Sequence, residues 1–280
     1  MDKKLIDLFV KNAIAEDVGD GDHTSLSTIP QGTQGKAKLI VKEDGILAGV
    51  ELALEIFNQI DDTLKVETFL HDGQQVNKND IAFVVEGSTH AILLAERLVL
   101  NCMQRMSGIA TKTNRIVKLL AGYKTKVLDT RKTTPGLRYL EKWAVRIGGG
   151  VNHRIGLYDM ILIKDNHVDY AGGIANAINQ ANDYLAKTGK QLQIEIEVRN
   201  LEELNQVLAV GKVDRIMLDN FDPALLKQAV ELIDGRFLTE ASGGIVESNV
   251  ADYAACGVDY ISIGELTHSV KSLDLSLKAF

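Results

Sequence analysis

Cysteine is nearly absent from this chain. The only two, Cys102 and Cys256, lie far apart and in no metal-ligand or redox spacing. That excludes a disulfide scaffold and a thiolate metal centre; both thiols are expected to be free and buried, in a reducing compartment. Long apolar runs are missing as well. No stretch approaches the ~20 residues that a membrane helix needs. Met1-Asp-Lys-Lys4 and the amphipathic run after it lack the apolar core and cleavage site of a signal peptide. The expectation is a cytoplasmic protein with no membrane partner. Positive charge is in deficit: 31 Lys and Arg face 38 Asp and Glu, a net −7, with a sequence pI ≈ 5.4. That balance argues against nucleic acid as the partner.

What is present is ordinary globular material, 45% hydrophobic and 25% charged, enough for one barrel-sized domain and a smaller module. Apolar positions between Leu5 and Asp17 predict an opening helix. Short β-rich runs follow at 35–41, 64–69 and 81–87, separated by Gly and Asp turns, with a helix at 51–60. Residues 1–110 therefore read as an α+β, sandwich-like domain ending in a linking helix. The stretch 90–120, interrupted only by Ser107-Gly108, reads as one or two helices. From residue 111 a strand–helix rhythm sets in. Apolar β runs at 126–128, 160–163, 193–198, 215–218, 236–239 and 259–263 alternate with helical patterns at 136–147, 172–187, 201–210, 224–233 and 246–255. Asp222-Pro223 and Thr134-Pro135 look like capped helix starts. About six βα units imply an α/β fold with a parallel sheet, either an incomplete TIM-like barrel or an open doubly wound sheet. The barrel domain is expected over 111–268, and 269–280 is a C-terminal tail.

In such folds ligands bind at the carboxyl ends of the strands, and there every run turns polar: Asp129-Thr-Arg-Lys132, Lys164-Asp-Asn-His167, Glu195 and Glu197, Asp219-Asn220, Glu240-Ala-Ser-Gly-Gly244, and Gly264-Glu265. Charge is also concentrated. Between Arg131 and Lys164 lie seven cations and only two anions. Two like charges ~4 Å apart cost about 4 kcal/mol at an effective dielectric of ~20, so converging Arg131, Lys132 and Lys164 call for an anion. Arg138, Lys142 and Arg146 read instead as a solvated basic helix face. His153-Arg154 follows three glycines that let backbone approach a ligand closely. Ser242, Gly243 and Gly244 form one glycine-bearing turn and Ile263, Gly264 and Glu265 another; such turns can cradle phosphate at a helix N-terminus. Glu197 and Asp219, at the ends of adjacent strands, suit magnesium, a ribose or a developing cation. His268 is left unassigned. No P-loop, nucleophile elbow or zinc spacing is present.

Three segments together, Leu128-Asp-Thr-Arg-Lys-Thr-Thr-Pro-Gly136, Lys142-Trp-Ala-Val-Arg-Ile-Gly-Gly-Gly-Val-Asn-His-Arg-Ile-Gly-Leu157 and Ile163-Lys-Asp-Asn-His167, resemble the quinolinate phosphoribosyltransferase family. Supporting segments are Ala95-Glu-Arg-Leu-Val-Leu-Asn101, Ser107-Gly-Ile-Ala-Thr111, Leu218-Asp-Asn-Phe221 and Gly257-Val-Asp-Tyr-Ile-Ser-Ile-Gly264. The resemblance implies conversion of quinolinate and phosphoribosyl pyrophosphate to nicotinate mononucleotide, pyrophosphate and CO2. It implies Mg2+ and a homodimer with shared sites. It implies that Arg131, His153, Arg154 and Lys164 grip the quinolinate carboxylates, with Arg97 reaching in from the partner. Lys132, Glu197 and Asp219 would engage phosphoribosyl pyrophosphate and its magnesium, and Ser242–Gly244 and Gly264 the 5′-phosphate. The alternatives are a nicotinate phosphoribosyltransferase-like enzyme and a non-catalytic anion sensor on the same fold.

Overall fold

A computed structural model describes residues 3–280. Its elements in chain order are α1 (Lys3–Val18), α2 (His23–Thr28), β1 (Gln34–Val41), β2 (Gly45–Ile46), α3 (Val50–Ile60), β3 (Lys65–Thr68), β4 (Gln75–Val76), β5 (Ile81–Ser88) and α4 (Thr89–Leu119). There follow β6 (Lys126–Leu128), α5 (Arg138–Ile147), β7 (Ile161–Ile163), α6 (Asp165–Ala171), α7 (Ile174–Thr188), β8 (Ile194–Val198) and α8 (Leu201–Val210). The chain ends with β9 (Arg215–Asp219), α9 (Pro223–Ile233), β10 (Leu238–Ser242), α10 (Val250–Ala255), β11 (Tyr260–Ser262), α11 (Glu265–His268) and β12 (Leu275–Ala279). Two compact units result. One takes residues up to Asn114 with Thr134–Gly149 and Ser269–Phe280; the other takes Arg115–Thr133 and Gly150–His268.

The first unit is built on an antiparallel sheet of order β12-β1-β5-β3. Along β1 every second residue from Ala37 is buried, through Leu39 and Val41, as a sheet with one covered face requires. The cover is helical. Phe57 of α3 meets Phe83 of β5 edge-on, ring centroids 5.8 Å apart, and the second sheet of the expected sandwich is only the β2-β4 pair. The C-terminal strand β12 zips antiparallel onto β1, from Ala37 opposite Ala279 to Val41 opposite Leu275.

Helix α4 runs straight through Ser107-Gly108. Ser107, fully buried, donates its hydroxyl to the Ala48 carbonyl (3.1 Å) and accepts the Ala48 N–H (2.9 Å). At Gly108 the segment before β12 crosses so closely that a Cβ would lie 2.3 Å from the Lys271 carbonyl oxygen and 3.1 Å from Ser272 Cα. In an open helix Gly→Ala gains about 1 kcal/mol; here overpacking against backbone costs about 1–3 kcal/mol. Gly108→Ala should therefore lower the unfolding free energy in a urea titration, and a more stable variant would disprove the close approach.

Two local expectations are corrected in α5. Thr134-Pro135 does not open it: the Thr134 N–H and hydroxyl both go to the Glu141 carboxylate (3.0 and 2.8 Å), and the helix begins three residues later without a side-chain cap. Nor is its basic face solvated throughout. Arg146 is exposed, but Lys142 is 1% exposed. The buried Glu141 also takes Arg105 Nε and Nη2 at 3.1 and 2.8 Å. By its contacts α5 groups with the first unit, although the strand–helix rhythm counts it among the barrel helices.

The second unit is a parallel sheet of order β6-β11-β10-β9-β8-β7. From β7 to β11 each strand neighbours the next, joined through a helix, and the order never reverses. A doubly wound sheet would show a switch point; this is the curl of a barrel. Between β6 and β7 only a Leu128–Val151 bridge forms, so one seam is open and the incomplete α/β barrel is the form adopted. Asp222 caps α9 by accepting the Leu225 N–H at 2.9 Å, with Pro223 at the first turn. Several elements differ from expectation: α11 is additional and α10 begins at Val250 rather than 246. Helix α6 is also additional, and β10 spans Leu238–Ser242 rather than 236–239, which draws Glu240 into the sheet.

Both cysteines are free. Cys102 is buried, its pKa pushed up to about 12 by desolvation, whereas Cys256 is only half-buried, contrary to expectation. Among the described residues no helix is long and apolar enough to cross a membrane.

Candidate active site

The carboxyl ends of the barrel strands gather the residues singled out at that rim. Arg131 and Lys132 follow β6, His153 and Arg154 lie on the loop into β7, and Lys164 ends β7. That loop is knitted in place. Asp129, fully buried, accepts the His153 N–H (2.9 Å) and the Asn152 amide (2.5 Å), and Asp159 accepts the N–H groups of Ile155 and Gly156. Arg154, 9% exposed, is tied by Nη1 to the Met160 carbonyl at 3.2 Å. Burial lowers its pKa, and the positive charge of Arg131 lowers it further, so the two guanidiniums are near enough to repel.

Lys132 is held from two sides: its N–H donates to Thr130 Oγ1 (3.0 Å) and its carbonyl accepts the Thr267 hydroxyl (2.8 Å). Its side chain passes over Gly264, where a Cβ would lie 3.0 Å from Lys132 Cδ and 3.2 Å from His268 Nε2. Glycine here leaves the slot that the lysine occupies. The structure thus puts His268 beside Lys132, a placement the sequence did not reveal.

Glu197 and Asp219 each commit one oxygen. Lys164 Nζ lies 2.9 Å from Glu197 Oε2, and Asn220 Nδ2 donates to Asp219 Oδ2 at 2.5 Å. The second oxygen of each carboxylate makes no hydrogen bond or ion pair among the described residues, a hard oxygen donor set that suits magnesium. Asn220, at φ 58°, adopts a left-handed conformation and donates its N–H to the Ser242 carbonyl (2.8 Å). Gly243 packs against it so tightly that a Cβ would lie 2.2 Å from Asn220 Oδ1.

The Ser242–Gly244 turn differs from expectation in one respect. Gly243 and Gly244 have φ of 90° and 64°, but α10 begins only at Val250, so the turn does not open a helix N-terminus. At the other turn Ile263 is core, 1% exposed, and its N–H donates to Leu128 across the sheet. Glu265 starts the short α11. Arg97 belongs to the first unit, exposed on α4.

The models of two sequence families together cover almost the whole chain: quinolinate phosphoribosyl transferase, N-terminal domain, over residues 22–107, and its C-terminal domain over residues 109–278. The chain belongs to the quinolinate phosphoribosyltransferase family. A tobacco (Nicotiana tabacum) relative named decarboxylating quinolinate phosphoribosyltransferase 2b, mitochondrial, is 48% identical over 284 residues, covering 96% of this chain and 80% of that protein. A rice (Oryza sativa subsp. japonica) relative named carboxylating nicotinate-nucleotide pyrophosphorylase, chloroplastic, is 50% identical over 281 residues, 95% of this chain and 75% of that one. The solved nicotinate-nucleotide pyrophosphorylase of Francisella tularensis superposes with a TM-score of 0.93 at 42% identity, covering 100% of this chain and 98% of that one.

Glu195 and Glu240, expected at the rim, form with Arg215 a buried group that the sequence does not reveal. Beneath the rim, fully buried Glu195 and Glu240 face His153, whose Nε2 lies 2.9 Å from Glu195 Oε2 and 3.4 Å from Glu240 Oε2. Arg215 Nη1 donates to Glu240 Oε2 at 3.0 Å, its guanidinium stacked over Tyr260. Burial alone would lower the His153 pKa, but the two carboxylates override it and raise it to about 9. Burial and then Glu240 raise the Glu195 pKa to about 7, whereas His153 and Arg215 hold Glu240 low against its own burial. His153 Nδ1 lies 2.7 Å from the Arg154 backbone nitrogen, and Nε2 faces Glu195. The three acid and imidazole side chains offer atoms within 4.8 Å of one another, a spacing a metal could use. Arg215 already fills that role with its own positive charge. Because both ring nitrogens are engaged within the protein, His153 would have to turn to grip an anion directly.

Proposed function

We propose that this protein transfers the phosphoribosyl group of phosphoribosyl pyrophosphate to quinolinate, releasing pyrophosphate and CO2 and forming nicotinate mononucleotide for NAD biosynthesis. The observation that carries the reading is the placing of the exposed Arg131 near Arg154, which is 9% exposed, so that their charges repel and await a dianion to neutralise them. Arg131, His153, Arg154 and Lys164 form the cationic side of the pocket. Lys132 receives the pyrophosphate, and the turns at Ser242–Gly244 and Ile263–Glu265 the 5′-phosphate.

The residues position and supply charge. The bond from the anomeric carbon to pyrophosphate breaks with its electrons leaving on oxygen, beside the Lys132 ammonium. The pyridine nitrogen lone pair forms the new bond to that carbon, whose positive character the carboxylates of Glu197 and Asp219 stabilise. The nitrogen becomes cationic, so the neighbouring carboxylate departs as CO2, its electron pair held beside that nitrogen until a proton replaces it. Magnesium, held by the uncommitted oxygens of Glu197 and Asp219 and by the pyrophosphate, would neutralise leaving-group charge.

We further infer a homodimer in which Arg97 of one protomer completes the site of the other. Supporting this, Arg97 is exposed and makes no ion pair among the described residues. Leu157 and Tyr170, 72% and 93% exposed, border a hollow of about 510 Å³ beside Arg154, and apolar surface of that kind marks interaction sites. Both free cysteines fit a reducing cytoplasm.

Incubation with phosphoribosyl pyrophosphate, magnesium and either quinolinate or nicotinate tests the reading. CO2 released only with quinolinate is expected. Turnover of nicotinate would assign a monocarboxylate enzyme instead, and binding without product a sensor.

A further inference from the structure

A barrel interior is ordinarily filled by branched apolar side chains. This one holds Glu195, Arg215 and Glu240 on three successive strands, with Glu195 and Arg215 paired in register and Glu240 opposite Met217. Glu195 and Glu240 are 0% exposed, and Arg215 is 8% exposed. The group is not a fully satisfied network. Among the described residues Glu195 Oε1 and Oε2, Glu240 Oε1 and Arg215 Nε meet no hydrogen-bond geometry. Partly satisfied buried charge is poor stabilisation, and apolar residues of similar volume do as well or better in such places. Stability therefore does not account for it. Its connections do: Glu195 and Glu240 lie 2.9 and 3.4 Å from Nε2 of His153, Nδ1 of the same ring lies 2.7 Å from the Arg154 backbone nitrogen, and Glu195 attracts the Arg154 guanidinium that Arg131 repels. The groups facing the imidazole from every packed strand are then known: Glu195 from β8, Arg215 behind Glu240 from β9, Glu240 from β10, and Asp129 after β6 on its backbone.

We propose that Glu195, backed by Glu240 and Arg215, is a positioning residue. It anchors the His153 ring inward and so keeps Arg154 converged with Arg131 before the substrate dianion arrives. It touches no substrate; it acts through His153 and Arg154. The proposal rests on the assignment of the rim as the quinolinate site, and it adds why two cations can wait there unfilled. Preorganised charge of this kind acts on binding of the anion it faces, not on the second substrate.

The test uses the full-length protein and Glu195→Gln, which keeps the side-chain shape and removes the charge, with Glu240→Gln as a second variant. The KM for quinolinate should rise about 10-fold or more, as when groups supporting a directly binding residue are lost, while the KM for phosphoribosyl pyrophosphate stays within about twofold. Imidazole nitrogen NMR, with His153 assigned by His153→Gln, gives a readout independent of turnover. The native ring should stay in one protonation state, with Nε2 protonated, through about pH 6–8, and the same signal should titrate in that range in Glu195→Gln. A folded Glu195→Gln with unchanged quinolinate KM would overturn the proposal, as would both KM values rising together or a native His153 that titrates like an exposed one. A native protein that turns over no quinolinate, yet shows the Nε2 proton, would sink the functional reading and leave the inward anchoring of His153 standing.

Discussion

Lys132→Ala is expected to lower kcat by about 10²–10³, the usual loss when one preorganised group facing developing charge is removed, and to leave quinolinate affinity within about threefold. The split follows from what the side chain does and does not meet. The Lys132 backbone is pinned by Thr130 and by Thr267, and its side chain runs over Gly264 beside His268. Charge grows on the leaving pyrophosphate only as the bond to ribose breaks, so the ammonium contributes more to the transition state than to the bound substrates. Lys132→Arg should rescue poorly, because the side chain passes so close over Gly264 that a Cβ there would lie 3.0 Å from Lys132 Cδ, and a planar guanidinium is wider than an ammonium. Gly264→Ala is the companion variant: it leaves Lys132 in the sequence but invades its slot, and should lower kcat in the same direction. Steady-state pyrophosphate release together with calorimetric binding of quinolinate checks both. Loss of quinolinate binding in step with kcat would place Lys132 in the dianion grip instead.

Much of this site is legible in sequence because barrels put chemistry where apolar strands turn polar. Arg131, Lys132, Lys164 and Asp219 all sit at that switch, and local signals such as the Asp222-Pro223 cap or the 201–210 periodicity translate directly into α9 and α8. The failures share a cause: charge that is satisfied by a distant residue looks like loop. Glu240 reads as the start of a polar turn, yet it lies inside β10 because Arg215, a strand away, and His153, on the loop before β7, neutralise it. Glu195 is misread in the same way. Thr134 looks like a helix cap until Glu141, seven residues on, claims both its N–H and its hydroxyl. Lys142 falls on what periodicity assigns to a solvated face, yet it is buried. In each case the pattern gives the element, and the partner that decides its environment is non-local.

Mixing Arg97→Ala with Lys132→Ala protein should restore activity that neither variant has alone. If each site combines one protomer's barrel with Arg97 of the other, a hybrid dimer holds one doubly damaged site and one intact one. Random exchange makes half of the dimers hybrids, so the mixture should regain about a quarter of wild-type activity, from a floor at least about 10²-fold lower. Arg97 suits the role. It lies on the outer face of α4 with Leu93 one turn before it, both exposed, while Ala95 and Val99 between and beyond them are buried. An exposed arginine on a rigid helix with no ion pair among the described residues is poised for an anion that its own unit does not supply. Unfolding and refolding the mixture together provides exchange, and differently tagged chains verify that hybrids form. Hybrids without recovered activity would confine each site to a single chain, and recovery before exchange would point to residual activity in one of the parents.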